Sequence, residues 1–143
     1  MMATATMRRA VTSFGPLQIA ISVLVAATAL VHGYLGVGMA MIVTAQPAVA
    51  ASMGGVTAVA ILGALFLCNF GGYVILNVAL YLPALRGVQR VTRWILIGYT
   101  ALTVVAYFAI AQGHAFDVFG LSDKAVEIAL IALLAIEARR ARS

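Results

Sequence analysis

Side chains able to do chemistry are few in this chain, and each is costly to keep out of water. His32, Glu127 and Tyr107 lie on three separate apolar stretches. Counted at about 1.5 Å of rise per residue, they reach one depth, roughly 5–10 Å below the outer surface of a bilayer. A carboxylate held there seeks a donor. The imidazole of His32 or the phenol of Tyr107 supplies one, and Tyr34 adds another phenol close by in the sequence. His32, Tyr34, Tyr107 and Glu127 are therefore the candidate ligand-binding residues. The competing reading pairs Glu127 with Lys124, three residues earlier on the same helix, and turns it toward the lipid headgroups. No metal site and no catalytic residue is expected. Two histidines and scattered carboxylates offer no ligand pair at one-turn spacing, and phosphate-binding glycine loops, HExxH, Gly-x-Ser-x-Gly and CxxC patterns are absent.

A second polar face has clearer spacing. Asn69, Tyr73, Asn77 and Tyr81 recur every four residues, which places them in one slowly rotating helical stripe. Tyr99, Thr100, Thr103 and Tyr107 form its counterpart on the next apolar run. Antiparallel packing would set Asn69 near Thr103, and Tyr73 near Tyr99 and Thr100. Such groups bond across helices in lipid, each worth about 1 kcal/mol or less. The stripe is expected to hold helices or a neighbouring subunit together, with a slot for a quinone, lipid or carotenoid as the alternative. Gly71 and Gly72 admit either a helix or a flat ligand. No cofactor is expected. A haem would need both histidines as axial ligands, yet His114 falls at the outer boundary and His32 roughly 8 Å deeper. Cys68 is the only cysteine, so it forms no internal disulfide and reads as a small apolar helix residue.

The elements that must position these residues follow from composition. Of the 143 residues, 64% are hydrophobic and 9% charged. An ordinary soluble domain carries roughly 25% charged residues, so lipid is the solvent for most of this chain. Four apolar runs span approximately residues 17–43, 56–82, 93–112 and 122–138, within a single transmembrane domain covering 1–143. Backbone groups in hydrocarbon must satisfy one another, and runs of this length do so as α-helices. A punctuated loop at 44–55, a tight turn at 84–93, and a connection at 113–121 resting on the membrane through Phe116 and Phe119 join the runs. Ser122 and Asp123 read as the start of the last helix.

The net charge of +5 does not imply nucleic acid, because eight of the nine basic residues cluster at the N-terminus, in the 86–93 turn and at the C-terminus. That distribution places these three regions in the cytoplasm. It predicts an all-α, integral membrane four-helix bundle of antiparallel up-down topology with both termini cytoplasmic, in a bacterial inner membrane. Arg8 and Arg9 before an apolar run, with Ala48-Val49-Ala50 beyond it, imitate a secretory signal. The run exceeds the roughly 7–15 residues of a signal core and is expected to be a retained span.

The segment Val31-His32-Gly33-Tyr34-Leu35-Gly36, together with Gly71-Gly72 ahead of an arginine-bearing loop, resembles the DoxX-like small four-helix bacterial membrane proteins. The resemblance implies the same helical architecture. It transfers no site, since the acidic residue those proteins commonly carry in the second helix is missing here, as is the basic residue after the histidine-glycine pair. The expected function is that of a non-catalytic membrane subunit or a bundle binding a small ligand or lipid. Partners are the bilayer and either further copies of the chain or a membrane complex. A redox protein with haem or quinone, and an oligomeric transporter or channel, are the alternatives.

Overall fold

The computed structural model describes residues 15–110 and 118–141. They form α1 (Pro16–Ala45), α2 (Pro47–Ser52), α3 (Val56–Tyr81), a 3-10 turn (Pro83–Val88), α4 (Gln89–Ile110) and α5 (Val118–Arg140), with no strand among the described residues.

Proline and glycine set most of the boundaries. Pro16 occupies the first turn of α1, where its missing N–H leaves no bond unmade. The Gly15 N–H donates to Gln18 Oε1 at 3.1 Å. Pro47 cannot continue α1, and the chain departs from helical geometry at Gln46. Within the expected 44–55 loop a six-residue helix, α2, then forms. Gly54 and Gly55 both take φ of 110°, a conformation side chains disfavour, and so turn the chain into α3. Leu82 is extended because Pro83 follows it, which ends α3.

Two helices begin earlier than the apolar pattern suggests. In α4 the first turn carries Thr92 and Arg93 inward while Arg90 stays exposed, so polar residues extend the helix below the apolar run. Helix α5 starts at Val118, which puts Asp123 in its second turn, buried, instead of at an exposed N-terminus. Phe119 lies in the first turn and is exposed. The part of the expected connection holding His114 and Phe116 lies outside the described residues.

Three segments are long and apolar enough to cross a membrane: α1, α3, and the 3-10 turn with α4 (Pro83–Ala109). The 23 residues of α5 would also suffice in length. This helix differs in carrying Asp123, Lys124, Glu127 and Glu137, all of them buried.

Helix α1 packs on α3 and α5, and α4 packs on the same two helices. Their shared core holds Ile21, Val25, Leu80, Leu96, Leu130 and Leu134. Close approach of α1 and α3 depends on Gly36, where a Cβ would sit 2.8 Å from Leu67 Cγ. The distribution of polarity is the reverse of a water-soluble protein. Glu127, Thr28 and Thr100 are 0% exposed, whereas Leu30, Ile75 and Leu102 are about two-thirds exposed. An apolar exterior of this extent suits lipid, and groups buried behind it must find partners inside. They do: among the described residues no buried side-chain nitrogen or oxygen lacks a hydrogen bond.

Candidate functional site

Four helices contribute to one buried polar cluster centred on Glu127. One-turn spacing supplies two pairs, Thr28 with His32 on α1 and Asp123 with Glu127 on α5, so each pair projects from a single helix face. Helix α3 adds Tyr73, and α4 adds Thr103.

The two carboxylate oxygens of Glu127 have different surroundings. Oε2 accepts from the Lys124 ammonium at 2.6 Å. Oε1 lies 3.0 Å from both the Tyr73 and Thr103 hydroxyls. The Thr28 hydroxyl is 3.2 Å from Oε1 and 3.0 Å from Asp123 Oδ1, so its single proton is shared between two acceptors. Lys124 also contacts Asp123 at 3.0 Å, and therefore bridges both carboxylates. His32 Nδ1 lies 2.8 Å from the Thr28 carbonyl, which can only accept, so this nitrogen is the donor. The other ring nitrogen, Nε2, is 3.8 Å from Glu127 Oε1. The ring packs against Phe66 and Tyr73 with centroids 5.6 and 5.7 Å away.

His32, Asp123 and Glu127 each offer a ligand atom, all within 4.8 Å of one another. Asp123 and Glu127 are a carboxylate pair at one-turn spacing, so the sequence does hold a ligand pair of the kind expected to be absent. The Lys124 ammonium already supplies positive charge between their carboxylates, so a metal ion would have to displace it.

Beside the cluster lies a cavity of about 300 Å³ between α3 and α4. Its walls are apolar, from Leu62, Leu65 and Phe66 on one side to Leu102 and Ala106 on the other. Exposed Leu65 and Leu102 mark the rim, and buried His32 and Lys124 mark the inner end, with Thr103 beside them. Tyr107 lines the cavity too, and its ring lies 5.3 Å from the Lys124 nitrogen. Asn69 and Tyr99 complete the lining, joined by a 2.7 Å bond from the Tyr99 hydroxyl to Asn69 Oδ1.

Of the four residues singled out by depth, the structure brings His32, Glu127 and Tyr107 to this region. Tyr34 is 74% exposed and stands apart from it. Glu127 does pair with Lys124, as the competing reading has it, yet it is fully buried and does not face headgroups. Asp123, Lys124, Thr28, Tyr73 and Thr103 are further members. Their signal was the one-turn spacing of Thr28 to His32 and Asp123 to Glu127. His114, the second haem ligand considered, lies outside the described residues.

The stripe on α3 finds partners on three other helices. Asn69 meets Tyr99, Tyr73 meets Thr103 and Glu127, Asn77 Oδ1 lies 3.4 Å from the Ser22 hydroxyl, and Tyr81 lies 3.4 Å from Glu137 Oε1. The Tyr73 and Tyr99 rings are also in edge contact at 5.2 Å. Thr100 instead donates to the Leu96 carbonyl of its own helix. Gly72 is spent on packing, since a methyl group there would run into the Tyr99 hydroxyl. No such neighbour stands within 4 Å of a Cβ at Gly71.

Compared with known protein families, curated proteins and solved structures, the chain matches none.

Proposed function

We propose that the chain is a four-helix integral membrane protein whose bundle binds a small, largely apolar molecule in the outer leaflet. In this reading α5 is the fourth span, neighbouring helices run antiparallel, and both termini face the cytoplasm of a bacterial cell. The arginines at 8, 9, 86, 90, 93, 139, 140 and 142 support that orientation. The likeness to DoxX-like proteins accords with the same architecture.

One observation carries the binding reading: an apolar cavity between two helices ends on buried polar side chains instead of closing on packed aliphatic ones. Binding sites for small molecules combine apolar walls with a few placed polar groups. The cavity's volume suits a small molecule and not a large cofactor.

Native mass spectrometry from lipid nanodiscs tests the reading. Wild-type protein is expected to retain an added small mass that Ala106→Trp, which fills the cavity, loses while remaining folded. Equal spectra for the two proteins, with no retained mass in either, would contradict it.

A further inference from the structure

The cavity's inner end restricts the charge of what it can hold. Counting His32 as neutral, two carboxylates and one ammonium leave the cluster with one excess negative charge, buried where Coulomb energies are large. An anionic head would be repelled by that excess. A cationic head fares no better, because the charged group lining the cavity is the Lys124 ammonium, with Asp123 and Glu127 behind it. An uncharged head avoids both penalties.

The hydrogen-bonding groups narrow the class further. An ammonium has three protons; Lys124 donates one to Glu127, and Asp123 is a second charge partner at 3.0 Å. The third remains for an acceptor on the cavity side, where the Tyr107 ring now lies 5.3 Å away. The bond from His32 Nδ1 to the Thr28 carbonyl fixes the tautomer, and in that tautomer Nε2 is the acceptor. Lys124 Nζ and His32 Nε2 each lie against an oxygen of the Glu127 carboxylate, and both side chains line the cavity. A donor and an acceptor at one end of the cavity match a hydroxyl group, which accepts from the first and donates to the second.

Resting on the binding reading above, we infer that the cavity takes an uncharged, hydroxyl-headed lipophilic molecule, an alcohol or phenol, from the bilayer. The hydroxyl oxygen accepts from Lys124 and its proton goes to His32 Nε2. The apolar body lies between Leu65 and Leu102 at the open rim between α3 and α4.

A set of ten-carbon probes differing only at the head tests this: 1-decanol, decyl methyl ether, decanoate and decyltrimethylammonium. Each is titrated into full-length protein in nanodiscs. The readout is the side-chain 15N resonance of Lys124, the only lysine in the sequence, so labelled lysine reports on this site alone. Decanol is expected to shift the resonance saturably in wild type and not in Ala106→Trp. The ether, which accepts but cannot donate, should bind up to about tenfold more weakly, the value of one buried hydrogen bond. Both ions should bind more weakly still. His32→Phe should reduce decanol to the affinity of the ether, and the wild-type comparison of decanol with ether stands if that variant does not fold. Tighter binding of either ion, or equal binding of ether and decanol, would overturn the hydroxyl assignment while leaving a binding cavity. If no probe shifts the wild-type resonance, the binding reading fails with it.

Discussion

Helix α5 buries two glutamates ten residues apart, and their surroundings differ. Glu137 makes a simple clasp: Arg93 donates from Nε at 2.8 Å and Tyr81 lies at 3.4 Å, one carboxylate against one guanidinium near the arginine-rich end of the molecule. Glu127 meets a lysine, two hydroxyls within 3.0 Å and a histidine, with Asp123 as a second acid. The clasp is charge-balanced and joins α4 to α5. The Glu127 cluster sets two carboxylates against one ammonium and an imidazole, draws on α1, α3, α4 and α5, and adjoins a cavity. A pair that only held helices together would need no more than Glu137 has. The surplus at Glu127 marks a place organised around something else.

That contrast predicts unequal costs of disruption. Glu127→Ala would leave a buried ammonium facing Asp123 alone and should cost about 3–5 kcal/mol, the range for breaking a buried pair. Equilibrium unfolding in mild detergent measures it. A loss no larger than that of Glu137→Ala would erase the distinction. For Glu137→Ala itself, about 1–2 kcal/mol is expected, between the exposed and buried limits. Arg93 lies in the first turns of α4, and its long side chain can turn toward the headgroups when released.

Smaller effects sharpen the picture. Tyr73→Phe removes one donor from a carboxylate that retains others, so about 1 kcal/mol is expected. Combining it with Glu127→Gln in a double-mutant cycle should show coupling, because the two side chains share a bond. Additive effects would place Tyr73 outside the network. Tyr34→Phe should change stability by less than about 0.5 kcal/mol and leave the retained mass unaltered, as suits an exposed side chain. Loss of bound mass in that variant would return Tyr34 to the site.

Much of this was legible in the sequence for physical reasons. Hydrophobic runs of spanning length have one stable secondary structure in lipid, so the helices could be read from length alone. Depth counting along those helices brought His32, Glu127 and Tyr107 together, since rise per residue is nearly constant. Depth carries no azimuth, however. Tyr34 shares the depth of His32 but lies two residues on, roughly on the opposite face of α1, and points outward. Azimuth was available in the one-turn spacings of Thr28 to His32 and Asp123 to Glu127. The early start of α5 at Val118 decided the inward position of Asp123, and Gly120 with Ser122-Asp123, which reads as a helix start, concealed that boundary. The α3 stripe was legible as a face, and Tyr73 does meet Tyr99, but Asn69 pairs with Tyr99 and not with the expected Thr103. Tyrosine side chains reach across nearly a helical turn, so Tyr73 bonds Thr103 while Tyr99 bonds Asn69.

The central claim is that Lys124 and Glu127 face each other inside the helices while apolar side chains face the lipid. One lysine and two glutamates in the sequence make it directly measurable. Solid-state NMR in bilayers, with 15N in the lysine side chain and 13C at the glutamate carboxyls, reads the separation between them. The account predicts a strong dipolar coupling that vanishes in Glu127→Gln and survives in Glu137→Gln. An uncoupled lysine that reacts freely with a water-soluble amine reagent would contradict it.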